Sequence, residues 1–133
     1  MNEFEKVSEY FDHWNGLKKE LHFYKKRPYF KEREVWWASI GHNLGDEENG
    51  KHEHYERPVL IVKRYYQNMF LYLPLTTKIK DGNYYYRKVV NNKDGVVILS
   101  QGRVIDAKRL IRKIETMDEY SFENVVKQYN DLI

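Results

Sequence analysis

Apolar residues Phe4, Val7, Tyr10, Phe11, Trp14, Leu17 and Leu21 return at helical spacing behind Asn2, which predicts an amphipathic helix with an asparagine cap. The pattern ends at Lys25-Lys26-Arg27-Pro28, where the proline disfavours helical geometry at the residue before it and a basic connector follows. Glu34-Val35-Trp36-Trp37-Ala38-Ser39-Ile40 is rich in aromatic and β-branched residues and reads as a strand. Residues 41–56 have no apolar period and hold three glycines, two asparagines and a run of carboxylates, so a long loop is expected there. Short strands are predicted over 59–62, 69–73, 84–90 and 96–99, separated by Tyr66-Gln67-Asn68, by Asp81-Gly82-Asn83 and by residues 91–95. Asp106 is placed to cap a short helical turn over 108–112. Phe122, Val125, Val126, Tyr129 and Leu132 then form a second helical stripe after Ser121. The expected architecture is α+β and mainly β: a small antiparallel barrel with an N-terminal helical extension, residues 1–28, and a C-terminal helix. Nothing in the pattern divides the 133 residues into more than one domain.

Composition narrows the chemistry. No run approaches the roughly 18 consecutive apolar residues of a membrane helix, and the start MNEFEKVSEYF is charged, so a cytoplasmic, membrane-free protein is expected. The chain has no cysteine, which removes disulfides, thiolate nucleophiles and Cys-based zinc sites. The net charge of +3 is unevenly spread. Residues 1–34 carry eight basic and seven acidic side chains, and residues 35–56 carry one basic against five acidic. Residues 57–113 carry thirteen basic against three acidic, a local +10, and the remainder returns to −4. A surface built by the central segment has a polyanion as its natural partner.

Three separated segments, in order and spacing, resemble the MazF/PemK-like toxins of type II toxin–antitoxin systems. Glu34-Val35-Trp36-Trp37 leads into Gly45-Asp46-Glu47-Glu48-Asn49-Gly50 and then Arg57-Pro58-Val59-Leu60-Ile61-Val62, similar to that family's first strand, glycine-and-Glu loop and Arg-Pro strand. Pro74-Leu75-Thr76-Thr77-Lys78-Ile79 is similar to its strand-end threonine motif, and the run from Leu99 through Asp106 to Leu110 to its Gln-x-Arg-x-Ile-Asp-x-x-Arg-Leu signature. The likeness covers residues 33–133. It implies an SH3-like barrel and a cofactor- and metal-independent endoribonuclease. Such a protein cuts single-stranded mRNA, acts as a homodimer and is neutralised by a cognate antitoxin. Two other functions fit the same fold: a non-catalytic toxin that binds a protein target such as a topoisomerase, and a plain RNA-binding barrel.

Cleavage of RNA without a metal uses the 2′-hydroxyl as nucleophile, so a protein need only take its proton, stabilise the phosphorane and help the 5′-oxygen leave. Arg57 is the leading candidate, since a guanidinium forks onto two phosphate oxygens and keeps its charge. The alternative is an ion pair with Glu47 or Glu56. Thr76 is placed to orient a phosphate or the 2′-hydroxyl. Ser100 stands where some members of the family carry an acid, which leaves Glu47, His52 or His54 as candidate proton acceptors. The stretch Lys51-His52-Glu53-His54-Tyr55-Glu56 also makes this loop longer than in several relatives. His52 and His54 lack a third ligand of clear spacing for a metal, and His42 is expected to be structural. For RNA binding the candidates are Lys78, Lys80, Tyr84, Tyr86, Arg87, Lys88, Ser100, Gln101 and Arg103, charge interleaved with stacking faces. Alternation along a strand turns some of Tyr84, Tyr85 and Tyr86 inward, with Tyr85 the expected core residue.

Overall fold

The computed structural model describes residues 2–52 and 54–133. An N-terminal helix α1, Glu3–Tyr24, is followed by strands β1 (Glu34–Ser39), β2 (Glu56–Arg64), β3 (Met69–Thr76), β4 (Tyr85–Val90), β5 (Lys93–Ile98) and β6 (Arg103–Asp106). A 3-10 turn at Ala107–Arg109, strand β7 (Leu110–Thr116) and helix α2 (Glu119–Asp131) complete the chain. The strands pair antiparallel in the order β4-β5-β3-β2-β1-β7, a sheet curled into a half-barrel.

β3 is the trunk of this sheet. One edge pairs with β2, while the other pairs with β6 over residues 69–72 and with β5 over 75–76. The changeover falls at residues 73–74, where Pro74 has no amide proton to offer a neighbour. Successive β2 and β3 residues are buried alternately on the two faces. Val59, Ile61, Phe70 and Tyr72 join Phe30, Trp36 and Ile105 in one apolar cluster. Leu60, Val62, Leu71, Leu73 and Leu75 join Val35, Val97, Leu99 and Met117 in the other, which α2 covers with Val125, Phe122, Val126 and Tyr129. Burial on both faces is why β2 and β3 read as unbroken apolar runs rather than alternating ones.

Local rules place most boundaries. Asn91 and Asn92 both have positive φ, 52° and 62°, the two-residue primed turn that joins β4 to β5 without splaying them. The turn expected over 91–95 is therefore shorter, and β5 opens at Lys93. Asp106 accepts the Lys108 amide at 2.8 Å, but the helix expected over 108–112 stops after three residues. Pairing with β1, through Leu110–Ala38 and Arg112–Trp37, draws the following residues into β7 instead. α2 starts earlier than Ser121, because the Asp118 carboxylate accepts the Ser121 amide at 2.9 Å and caps the helix at Glu119.

α1 is capped as expected, Asn2 Oδ1 accepting the Glu5 amide at 2.8 Å. Its apolar stripe is another matter. Trp14 is the helix's buried residue, whereas Phe4, Tyr10 and Phe11 stand exposed. Among the described residues no helix is long and apolar enough to cross a membrane.

Leu73→Ala empties a fully buried position on the trunk strand and should cost about 2–5 kcal/mol in chemical denaturation. Asp118 gives a pH test. The Lys88 ammonium 2.7 Å away, with the Ser121 amide, holds its carboxyl well below the usual carboxylate range. A depressed folded-state value stabilises fully above the unfolded value, about pH 4, and is lost as the pH falls below it. Asp118→Asn, which keeps a cap acceptor, should therefore be less stable than the wild type at pH 7, with the gap closing under acid titration.

Candidate active site

Arg57 enters from the start of β2, opposite Ala38 of β1, and its side chain turns into the protein rather than toward solvent. Only 8% of the residue is exposed. Its Nε donates to the Asn49 carbonyl at 2.8 Å and its Nη1 to the Leu75 carbonyl at 3.3 Å, while Nη2 lies 3.2 Å from the Glu48 carboxylate. Thus the loop 40–55 supplies two partners and the end of β3 the third. Five guanidinium protons less these three contacts leave two free to meet an incoming group.

The loop delivers Glu48 because it is built as a hydrogen-bonded unit. Asn43 is its hub, its side-chain amide donating to the Ile40 and Glu48 carbonyls at 3.1 and 2.8 Å and its backbone amide to Asn49 Oδ1 at 2.5 Å. Gly50 donates to the Gly41 carbonyl at 2.7 Å, and Lys51 and Glu56 exchange backbone bonds of 2.8 Å. A Cβ at Gly50 would lie 1.5 Å from the Tyr55 carbonyl oxygen, so this crossing admits only glycine. From outside the loop, the Gln101 amide accepts the Glu48 N–H at 2.7 Å and donates to the Asp46 carbonyl at 3.0 Å.

Arg57 opens onto a cleft of about 220 Å³. Its walls include Trp37, Pro58, Leu75 and Ile114, and its polar lining includes Thr76, His52, Lys51, Lys88 and Lys93. Thr76 ends β3 with its hydroxyl accepting the Lys78 amide at 3.2 Å, a strand-end turn that leaves it beside Arg57. A second groove, about 400 Å³, is lined by Asp46, Glu47, Glu48, Tyr72, Ser100, Gln101, Gly102 and Arg103. Glu48 lines this groove and pairs with Arg57 of the first, so the two meet at that ion pair. Burial pushes the Tyr72 hydroxyl up, partly offset by the Arg103 guanidinium, and keeps it neutral.

The residues singled out in the sequence are thereby sorted. Arg57, Thr76, His52 and Lys88 line one cleft, and Ser100, Gln101 and Arg103 the groove beside it. Lys78, Lys80, Tyr84, Arg87 and His54 line neither. Arg87 is held by Asp94 through two hydrogen bonds. Several roles change hands. Tyr86, expected to stack on bases, packs against the α2-side core, and Tyr85, expected in the core, instead lies under the Lys80 ammonium. Gln101 commits its side-chain amide to the loop, through the Glu48 N–H and the Asp46 carbonyl. Glu47 accepts the Leu44 amide at 2.9 Å within a local turn, and Glu56 pairs with Arg112 at 3.4 Å. Glu48 is the carboxylate at Arg57. Three carboxylates in a row stand at 46–48, and only the fold of the loop selects which one turns inward. Among the described residues no three His, Asp or Glu side chains cluster as a metal site.

Solved structures share this fold. MazF from Deinococcus radiodurans superposes with a TM-score of 0.63 at 17% identity, covering 80% of this chain and 96% of that one. An endoribonuclease in complex with its cognate antitoxin, from a mycobacterial species, gives 0.61 at 11% identity over 77% and 93% of the two chains. The Mycobacterium tuberculosis toxin MazF-mt6 gives 0.58 at 17% identity over 74% and 94%. No curated protein matches the chain by sequence. The model of the PemK-like, MazF-like toxins of type II toxin–antitoxin systems matches residues 31–132, and the chain belongs to that family.

Proposed function

We propose that this toxin is a metal-independent endoribonuclease that cleaves single-stranded mRNA by transesterification, acts as a homodimer in the cytoplasm and is silenced by a cognate antitoxin. The observation that carries the reading is the pairing of Glu48 with Arg57, 3.2 Å apart, where Arg57 lines a cleft that also holds Thr76 and three lysines. These groups match the demands of the reaction. Arg57 turns its two uncommitted protons toward the phosphate and offsets the charge that builds on its oxygens. Thr76 aligns the 2′-hydroxyl or a phosphate oxygen. Glu48 takes the 2′-hydroxyl proton as the 2′-oxygen attacks phosphorus, and the bond to the 5′-oxygen breaks. That oxygen takes a proton from water or from His52 in the same cleft. The products are a 2′,3′-cyclic phosphate and a 5′-hydroxyl. Lys51, Lys88 and Lys93 draw in the strand, and Arg103 is the cation of the neighbouring groove, where it faces the carboxylates of Asp46, Glu47 and Glu48. Antitoxin control is supported by family membership and by the mycobacterial neighbour, an endoribonuclease solved with its cognate antitoxin.

Purified protein incubated with single-stranded RNA in EDTA should leave cyclic phosphate ends, resolved by mass spectrometry of the fragments. Arg57→Ala should lower kcat by about 100- to 1,000-fold. Glu48→Gln should lower it by at least about 100-fold while Glu47→Gln changes it little, and the reverse order would move the proton acceptor to Glu47. Growth inhibition without any cleavage would instead favour the non-catalytic toxin.

A further inference from the structure

α1 lies outside the residues matched by the family model, and its packing is unusual for a helix of 22 residues, since Trp14 alone among its side chains is buried. With one buried side chain, the helix is anchored first by what that side chain touches. The Trp14 indole sits on Gly41, where a Cβ would come within 2.3 Å of the ring and where φ is +91°. The Arg109 guanidinium lies 5.5 Å from the same ring, and Tyr55 packs against it at 5.6 Å. Gly41 and Tyr55 stand at the two ends of the loop that carries Glu48 and Asn49.

Further contacts of α1 fall on those same ends, while its last turn is held at the turn after β6, where Lys108 Nζ donates to the His22 carbonyl. The Tyr55 hydroxyl donates to the Tyr10 carbonyl at 3.2 Å, and His13 Nδ1 lies 3.1 Å from the Tyr55 hydroxyl oxygen. With the hydroxyl proton on Tyr10, His13 is the donor. Burial pushes the Tyr55 hydroxyl up, which preserves it as a neutral donor. The His42 ring packs on Tyr10 and edge-on to Phe11, with centroids 5.5 and 4.8 Å apart. Tyr55 then closes the loop on itself, its carbonyl accepting the amides of Ile40 at 3.0 Å and Gly41 at 3.3 Å. Gly41 passes the constraint on, because its own carbonyl accepts Gly50, the residue next to Asn49.

We propose that α1 is a positioning element of the active site: Trp14, His13 and Tyr10 pin the loop ends at Gly41 and Tyr55 and so hold Glu48 and Asn49 against Arg57. Ordering the loop costs conformational entropy, which the self-contained hydrogen bonds offset only in part. The loop tip is held by Gln101 and its ends by α1. Releasing the ends lets the tip sample conformations in which Glu48 is away from Arg57. This inference rests on the proposed cleavage only for its kinetic consequence; the loop order it describes is measurable without RNA.

Hydrogen exchange by mass spectrometry on the full chain separates the two. Trp14→Ala should speed exchange of the peptide spanning 41–52 by about tenfold or more while the β3 peptide 69–76 keeps its protection, and Trp14→Phe should restore part of the loss. In single-stranded RNA cleavage, Trp14→Ala should lower kcat by about tenfold with KM changed less than about threefold, the sign of displaced catalytic groups rather than lost binding. Unaltered loop exchange in Trp14→Ala overturns the proposal. If that variant loses β3 protection and so unfolds, Tyr55→Phe decides, since it deletes only the hydroxyl: faster loop exchange supports the brace and unchanged exchange refutes it. Full cleavage by Arg57→Ala would sink the assignment of the reaction, yet leave the exchange result to judge the brace on its own.

Discussion

A guanidinium taken out of water must recover hydrogen-bond acceptors and a counter-charge inside the protein, because an unmatched buried charge costs several kcal/mol. Arg57 recovers them from the Leu75 carbonyl at the end of β3 and from Asn49 and Glu48 of the loop before β2. That single side chain thus ties together two neighbouring strands and the one long connection of the sheet. The loop is ordered around it and it is ordered by the loop. The arrangement also explains why the candidate site lies where it does. Three contacts leave two protons of the guanidinium uncommitted, and Arg57 lines the cleft that holds Thr76 and His52.

The cleft itself is a consequence of how the sheet curls. β4 and β7 are the outer strands of the order and do not pair, so the barrel stays open between them. Side chains span the gap instead: the Asn91 amide donates to Glu115 at 2.6 Å, and Lys88 pairs with Asp118. Irregular pairing of β1 with β7, at Val35/Trp36 and Trp37/Ala38, adds twist at the same edge, as bulges do. Trp37 and Ile114 thereby become walls of a cavity rather than members of a closed core. Arg57, Lys88 and Lys93 of the central segment line it, where a low-dielectric wall strengthens their field.

α1 adds a layer that the family fold does not require. Its exposed Phe4, Phe23 and Tyr24 show that area burial is not what fixes it to the body. Contacts at Gly41, His42, Tyr55 and Arg109 do so, together with Lys25, which donates to the Leu110 carbonyl at 2.9 Å. Each lies on or beside the loop of the candidate site or the turn that follows β6. The helix and the loop therefore share one set of contacts, and the order of one is coupled to the order of the other.

The residues alone determined what depends on local spacing. The 3.6-residue stripes behind Asn2 and around Val125 specified two helices, and the apolar runs at 59–62 and 69–73 marked the strands that are buried on both faces. Arg57-Pro58, Thr76 and the 99–110 run placed the chain in its family, because order and spacing of motifs survive where overall identity has fallen below 20%. Tertiary structure decided everything that depends on which way a side chain turns. Leu110 to Thr116 had a helical start at Asp106, yet β1 offered a free edge and the backbone hydrogen bonds of a strand outweighed a short helix. Tyr85 and Tyr86 exchanged their expected faces through the pairing of β4 with β5, where a shift of one residue reverses every side chain. The choice among Asp46, Glu47 and Glu48 was closed to sequence reasoning for the same reason. Adjacent carboxylates are chemically alike, and only the hydrogen bonds of Asn43 and Gln101, made across the folded loop, turn Glu48 toward the buried charge of Arg57.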